Sequence, residues 1–127
     1  MDVKKLNVYI EAFNLSIELY TITRQWKDFW LRDQMMRAVT SVCANLSEFA
    51  ACNTYNERCH KATIALSEAK ELQFWLEFCN KVALIPSPDI LDRGEKISKM
   101  MWKLRTRMNE FRKTSSESRE PTAEVYP

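Results

Sequence analysis

Gln34-Met35-Met36-Arg37-Ala38-Val39-Thr40-Ser41-Val42-Cys43-Ala44-Asn45-Leu46-Ser47-Glu48 is the stretch that decides the fold. Met35, Val39, Val42 and Leu46, extended by Leu31 and Phe49, recur in steps of three and four, the period of one helical face. Beside them Gln34, Arg37, Ser41, Asn45 and Glu48 follow the same steps, so five polar groups share one narrow stripe. Met36, Thr40, Cys43 and Ser47 lie away from the apolar face. The ten residues 38–47 carry no charge, and a helix uncharged on every side is ordinarily buried on every side. Buried amides and ions need partners. The stripe is therefore expected to be a hydrogen-bonded seam between packed helices or subunits, with this helix deep in a bundle.

Working outward, three more helices fall into place. The first spans Val3 to Arg24 and leads through the aromatic, basic connection Gln25-Trp26-Lys27-Asp28-Phe29-Trp30 into the second, Leu31 to Ala51. Asn53-Thr54 interrupts the pattern, and Thr54 with Glu57 forms a capping box for a third helix over Tyr55 to Ala83. Pro86-Ser87-Pro88 ends it, with Ser87 as N-cap and Pro88 as first residue of a fourth helix reaching Lys113. A single Gly and four Pro in 127 residues leave little turn chemistry for an all-β chain, and 46% hydrophobic residues is enough for a core. Short connections between long helices favour antiparallel neighbours. The expected fold is all-α, an antiparallel up-down-up-down four-helix bundle over residues 1–113, followed by a polar, disordered tail over 114–127.

A lone bundle needs one apolar stripe per helix. The first helix has two: Leu6, Tyr9, Ile10, Phe13, Ile17 and Tyr20 on one side, and Val8, Ala12, Leu15, Leu19 and Ile22 on the other. The third repeats this, with Ala62, Ala65, Ala69, Leu72 and Leu76 against Ile64, Trp75, Phe78 and Val82. Surplus apolar surface marks an interface, so a discrete homo-oligomer larger than a dimer is expected. The four Cys, at 43, 52, 59 and 79, contain no C-x-x-C pair. With no secretory signal and no apolar run near the roughly 20 residues of a membrane span, they read as free thiols of a soluble, cytoplasmic protein.

Net charge is only +2, but residues 93–113 hold eight basic residues against two acidic ones. Lys96, Lys99, Lys103 and Arg107 make a basic stripe beside the apolar Ile97, Met101, Leu104, Met108 and Phe111, and Trp102 points away from that core. With Arg105 these residues form a candidate nucleic-acid surface, because cations bind phosphates and an outward indole stacks on bases. A solvated face that keeps the bundle soluble is the bland alternative. Arg24, Lys27 and Arg32, around the first connection, are the reserve surface.

Catalytic chemistry finds little footing. One His excludes a His-based cluster within a subunit, and Glu57-x-x-His60 is half of what a ferritin-like di-iron site needs. Cys59 and His60 are adjacent and point about 100° apart on a helix. Gly94 alone cannot build a phosphate loop. Glu68 and Glu71, three apart, suit pairing with Lys70 or a neighbouring helix. No catalytic residue, metal or cofactor is expected.

The spacing Gln34-x-x-Arg37-Ala38-x-x-Ser41-x-x-x-Asn45-x-x-Glu48 resembles the signature of the four-helix-bundle proteins encoded in intervening sequences of 23S ribosomal RNA genes. Leu6-x-Val8-Tyr9-x-x-Ala12-x-x-Leu15, Leu19-Tyr20-x-x-Thr23 and Leu31-x-x-Gln34 agree upstream, as do Ala65, Leu66 and Glu71 downstream. Met36, Cys43 and Phe49 depart from it, as do Ser67 and Glu68. Leu72-x-Phe74-Trp75-Leu76-x-Phe78 is similar to the accessory variability determinant of diversity-generating retroelements. The resemblance implies a non-enzymatic homo-oligomer, with a pentameric barrel as the expected form. Its partners would be RNA and, in the retroelement branch, a reverse transcriptase engaged in mutagenic complementary DNA synthesis. The rival expectation is a structural or protein-scaffolding oligomer with no nucleic-acid role.

Overall fold

The computed structural model describes residues 1–114. A 3-10 turn at Val3–Lys5 precedes four helices, α1 (Asn7–Thr23), α2 (Phe29–Ala51), α3 (Tyr55–Lys81) and α4 (Pro88–Thr114). No strand occurs among the described residues. The expected disordered tail lies outside them, except Thr114, which is the last residue of α4.

The helix ends follow from local chemistry. Leu6 is extended and splits the expected first helix: Asp2 caps the short turn by accepting from Lys4 N at 3.0 Å, and α1 begins beyond it. Asp28 accepts from Leu31 N at 3.3 Å, which starts α2 two residues before the expected Leu31. Thr54 Oγ1 accepts from Glu57 N at 3.1 Å, while the Glu57 carboxylate accepts from Asn53 N at 3.1 Å, so the capping box reaches one residue further back than the usual form. Ser87 Oγ accepts from Asp89 N at 3.2 Å. At the other end α3 stops at Lys81, short of Ala83, because Ala83 turns left-handed at φ 63° and Leu84 N closes the turn on Cys79 O at 2.9 Å. Glycine usually fills that position.

α1 packs on α2, α2 on α3, α3 on α4, and α4 back on α1. Helices adjacent in sequence are adjacent in space, the arrangement of an up-down-up-down bundle. The six apolar positions read from the α2 stripe are all buried, and so are Val8, Ala12, Leu15 and Leu19 of α1. On α3 the buried Tyr55, Arg58, Ala62, Ala65, Ala69, Leu72, Leu76 and Cys79 alternate steps of three and four. Its central alanines let α4 come close: Ser98 Oγ donates to Ala69 O at 3.2 Å, and a Cβ on Gly94 would overlap Leu76 Cδ1. Glycine is favoured there by that approach, not by backbone conformation, since any Cβ would make the Leu76 methyl shift.

Three expectations need correction. α2 is not enclosed on every side of the chain, since Asp33, Arg37, Thr40, Ala44, Ser47 and Glu48 are exposed and Gln34, Ser41 and Asn45 half-buried. Only its apolar face reaches the core; between Arg37 and Glu48 the exposed residues are the small, neutral Thr40, Ala44 and Ser47. Leu6, grouped with Tyr9, Ile10, Phe13, Ile17 and Tyr20, does not share their face: it is buried at the bend that splits that helix. The rest of that stripe stays largely outside, with Ile10, Phe13, Ile17 and Tyr20 exposed. Within the basic group, Arg105 lies on another side of α4 from Lys103 and Arg107, with its Nε buried. No helix among the described residues is long and apolar enough to cross a membrane.

Candidate nucleic-acid interface

The basic helix divides into three regions. Toward α1, Lys96 Nζ meets Glu11 Oε1 at 3.0 Å, and Arg93 pairs with Glu18. On the outer face Lys99 pairs with Glu95 one turn back at 3.0 Å. Lys96 and Arg93 thus link α4 to α1, while the Lys99 pair lies within α4. Further along, Trp102 is 56% exposed and shares one open depression of about 240 Å³ with Lys103, Thr106, Arg107 and Glu110. Lys103 makes no ion pair among the described residues, and the Arg107 guanidinium lies over the Phe111 ring at 5.7 Å. Arg105 does not join them. Two residues from both Lys103 and Arg107, it sits roughly 200° around the helix from each, and its Nε is buried without a hydrogen-bond partner. The structure gathers Trp102, Lys103 and Arg107 of the stripe in one depression, and Lys96 and Lys99 share a second with Lys103.

The polar stripe of α2 forms the seam it suggested, but at the rim. Arg37 Nη1 reaches Glu68 Oε2 at 3.3 Å and Nη2 pairs with Glu71, joining α2 to α3. Glu71 also accepts from Trp75 Nε1 at 3.5 Å. Lower down, Glu48 meets Lys61 Nζ at 2.9 Å, and Asn45 Nδ2 donates to Ser41 O at 2.9 Å. The two carboxylates facing Arg37 shift in opposite senses. The hydrogen bond from Arg37 holds Glu71 below the usual carboxylate range, whereas burial, followed by the adjacent Glu71, pushes Glu68 above it. The hydrogen bond to Glu71 in turn raises Arg37 above its ordinary value.

A second arginine escaped the sequence reading. Arg58 is fully buried, over the Phe49 ring at 5.6 Å. Its Nε and Nη2 donate to Cys52 O at 3.0 and 2.7 Å, and Nη2 also reaches Ala50 O at 3.3 Å. A cation thus satisfies carbonyls at the end of α2, where the helix leaves acceptors unpaired and its dipole is negative. The signal was present: Arg58 occupies a core position in the α3 repeat between Tyr55 and Ala62.

Burial pushes the Cys43 and Cys79 thiols up to about 11, so both stay protonated at neutral pH. Cys59 is buried with Sγ 3.6 Å from Asn109 Oδ1, while His60 is exposed. Among the described residues no group of three or more His, Cys, Asp or Glu is placed to hold a metal ion.

At the opposite end of α4 from the Trp102 depression, aromatic side chains gather outside the core. Trp30 and Trp75 meet edge to face at 5.5 Å, and Phe74 and Phe78 lie 4.9 and 6.0 Å from Trp75. A groove of about 650 Å³ beside them is walled by Trp26, Trp30, Phe78, Val82 and Leu84.

Four sequentially packed helices with charged rims, a basic and aromatic strip on the last helix and uncovered apolar faces define an all-α bundle protein built around surfaces. The chain belongs to the 23S rRNA-intervening sequence protein family, whose model matches residues 4–106. Its fold is similar to the crystal structure of a protein of unknown function from the S23 ribosomal protein family of Bacteroides thetaiotaomicron, with a TM-score of 0.70 and 24% identity over 77% of this chain and 97% of that one. No curated protein matches the chain.

Proposed function

We propose that this chain is a non-enzymatic, homo-oligomeric protein of the cytoplasm that binds RNA on the outer face of α4. The observation that supports this most is the exposed Trp102 beside Lys103 and Arg107 in one depression, a stacking platform flanked by phosphate-binding cations. The test is anisotropy of a labelled RNA at increasing salt. Affinity falls steeply as salt rises, and the double variant Lys103→Gln/Arg107→Gln lowers the log-log salt slope by about 1.5 to 2. Trp102→Ala weakens single-strand binding by about 1 to 3 kcal/mol. Lys96→Gln and Lys99→Gln have smaller effects, since both cations already hold carboxylates. No RNA affinity in the wild type at low salt overturns the proposal and favours a scaffold.

Two unlike apolar patches support oligomerisation. One is the outward stripe of α1, Ile10, Phe13, Ile17 and Tyr20; the other is the aromatic group of Phe29, Trp30, Phe74 and Phe78. Patches of different shape on one chain are covered by a head-to-tail contact, which closes into a ring when the rotation allows, and a pentamer is the ring the resemblance implies. Light scattering is expected to give a mass well above twice 15.0 kDa, and Ile17→Glu is expected to return it to that of one chain. Phe74, Trp75 and Phe78 also carry the resemblance to the retroelement accessory protein. If Ile17→Glu leaves the assembly intact, this patch is open to a different protein, a reverse transcriptase in that reading. A structural scaffold is the second reading, favoured by the exposure of those same aromatics.

A further inference from the structure

We infer that the depression between Trp102 and Glu110 is a subsite for one unpaired nucleobase, and that Glu110 makes it select guanine. The inference rests on the RNA-binding reading above and adds the base that the site discriminates.

The depression, about 240 Å³, is smaller than the roughly 300–1,000 Å³ of a pocket for a drug-sized ligand. A depression of that size suits a planar group better than a folded ligand. Trp102, Thr106 and Glu110 follow one another in steps of four along α4, so an indole, a hydroxyl and a carboxylate succeed each other over roughly 12 Å of helix. Lys103 and Arg107 flank them. On a surface that only bound phosphates, Glu110 would repel the ligand, and it has no ion pair among the described residues to mask it. A base stacked on Trp102 changes the sign of that contribution, because a carboxylate accepts hydrogen bonds from ring and exocyclic N–H groups.

The bases differ in what they offer a carboxylate. Guanine presents N1–H and the N2 amine side by side, two parallel donors for two oxygens, the geometry that makes bidentate carboxylate recognition strong. Adenine and cytosine set their amine beside a bare ring nitrogen that repels the second oxygen. Uracil offers one N–H between two carbonyls. Unpaired bases in RNA are read in this way, stacked on an aromatic ring and hydrogen-bonded along the pairing edge. Arg107 and Glu110 lie beyond residues 4–106, the part matched by the family model, so the selecting group belongs to the region of α4 outside that match.

The experiment uses the full chain and labelled oligouridines of one length that carry a single central G, A, C or U. The G-containing strand is expected to bind about ten-fold more tightly than all-U, the low end of discrimination by a good bidentate pair. Glu110→Gln should abolish the preference for G, because an amide sets a donor against guanine N1–H and instead matches the amine and bare ring nitrogen of adenine or cytosine, while all-U binding stays the same or tightens, and Trp102→Ala should weaken all four. Equal affinities for the four strands with the wild type would overturn the base subsite and leave RNA binding standing. So would a preference for G that survives Glu110→Gln. Failure of all four strands to bind at low salt would overturn the RNA reading itself.

Discussion

Two arginines, Arg37 and Arg58, make opposite use of the ends and flanks of α2. Arg37 belongs to the pattern that stands out in the sequence, yet its side chain is 48% exposed and shared between Glu68 and Glu71. Arg58 stands outside that pattern, is fully buried, and holds the carbonyls of Ala50 and Cys52. A regularly spaced polar stripe shows where two helices meet, not how deep the meeting lies. Depth is set by the heptad-like register of the apolar neighbours, and Arg58 is in that register while Arg37 is beside it.

The sharpest way to break this comparison is to remove each guanidinium in turn. Arg58→Ala leaves buried carbonyls unsatisfied and a gap under Phe49, and is expected to cost about 3 kcal/mol or more in denaturant unfolding. Arg58→Lys should recover only part of that, because an ammonium cannot reproduce the planar fork. Arg37→Ala should cost less than about 1 kcal/mol, as exposed ion pairs do. A loss from Arg37→Ala as large as that from Arg58→Ala, growing with protein concentration, would show that the rim of α2 is buried between subunits.

Titration gives the smallest effect and resolves the Arg37 cluster itself. Glu71 is held low in the folded chain, so its contribution to stability is present above the ordinary carboxylate pKa and is lost as pH falls through the lowered value. Glu68 is held high, so the fold favours its neutral form, and its contribution is present below the ordinary value and lost as pH rises through the raised one. Melting temperature followed against pH should therefore separate the two substitutions. Glu71→Gln lowers stability chiefly at neutral pH, and Glu68→Gln leaves it unchanged or slightly raised there. Identical profiles for the two variants would mean that the pair titrates as one group.

Most of the architecture was legible because apolar residues of α2, α3 and α4 keep steps of three and four without interruption, and because Thr54, Glu57, Ser87 and Pro88 are strong local end signals. The bend at Leu6 and the early start of α2 at Phe29 were not, since each depends on one carboxylate, Asp2 or Asp28, accepting from a nearby amide. The candidate surface was legible in composition and blurred in detail. Periodicity along α4 puts Lys96, Lys99, Lys103 and Arg107 on one face, but Glu11 of α1, which takes Lys96, is a long-range partner that no local pattern announces. Arg105 was grouped with them by proximity in sequence, and rotation about the helix separates it.

The pairs Lys96–Glu11 and Arg93–Glu18 give the molecule a fastening as well as a surface. α1 meets α4 over much less of its length than α3 does, and these contacts sit at the edge of that narrow strip. A polyanion competing for Lys96 therefore competes with one tie at the edge of the first helix, whose buried Val8, Ala12, Leu15 and Leu19 still hold it in the bundle. Binding and breathing become linked quantities: amide hydrogens of α1 should exchange faster when salt or RNA occupies α4, while those of α3, locked against α4 at Gly94 and Ser98, keep their protection.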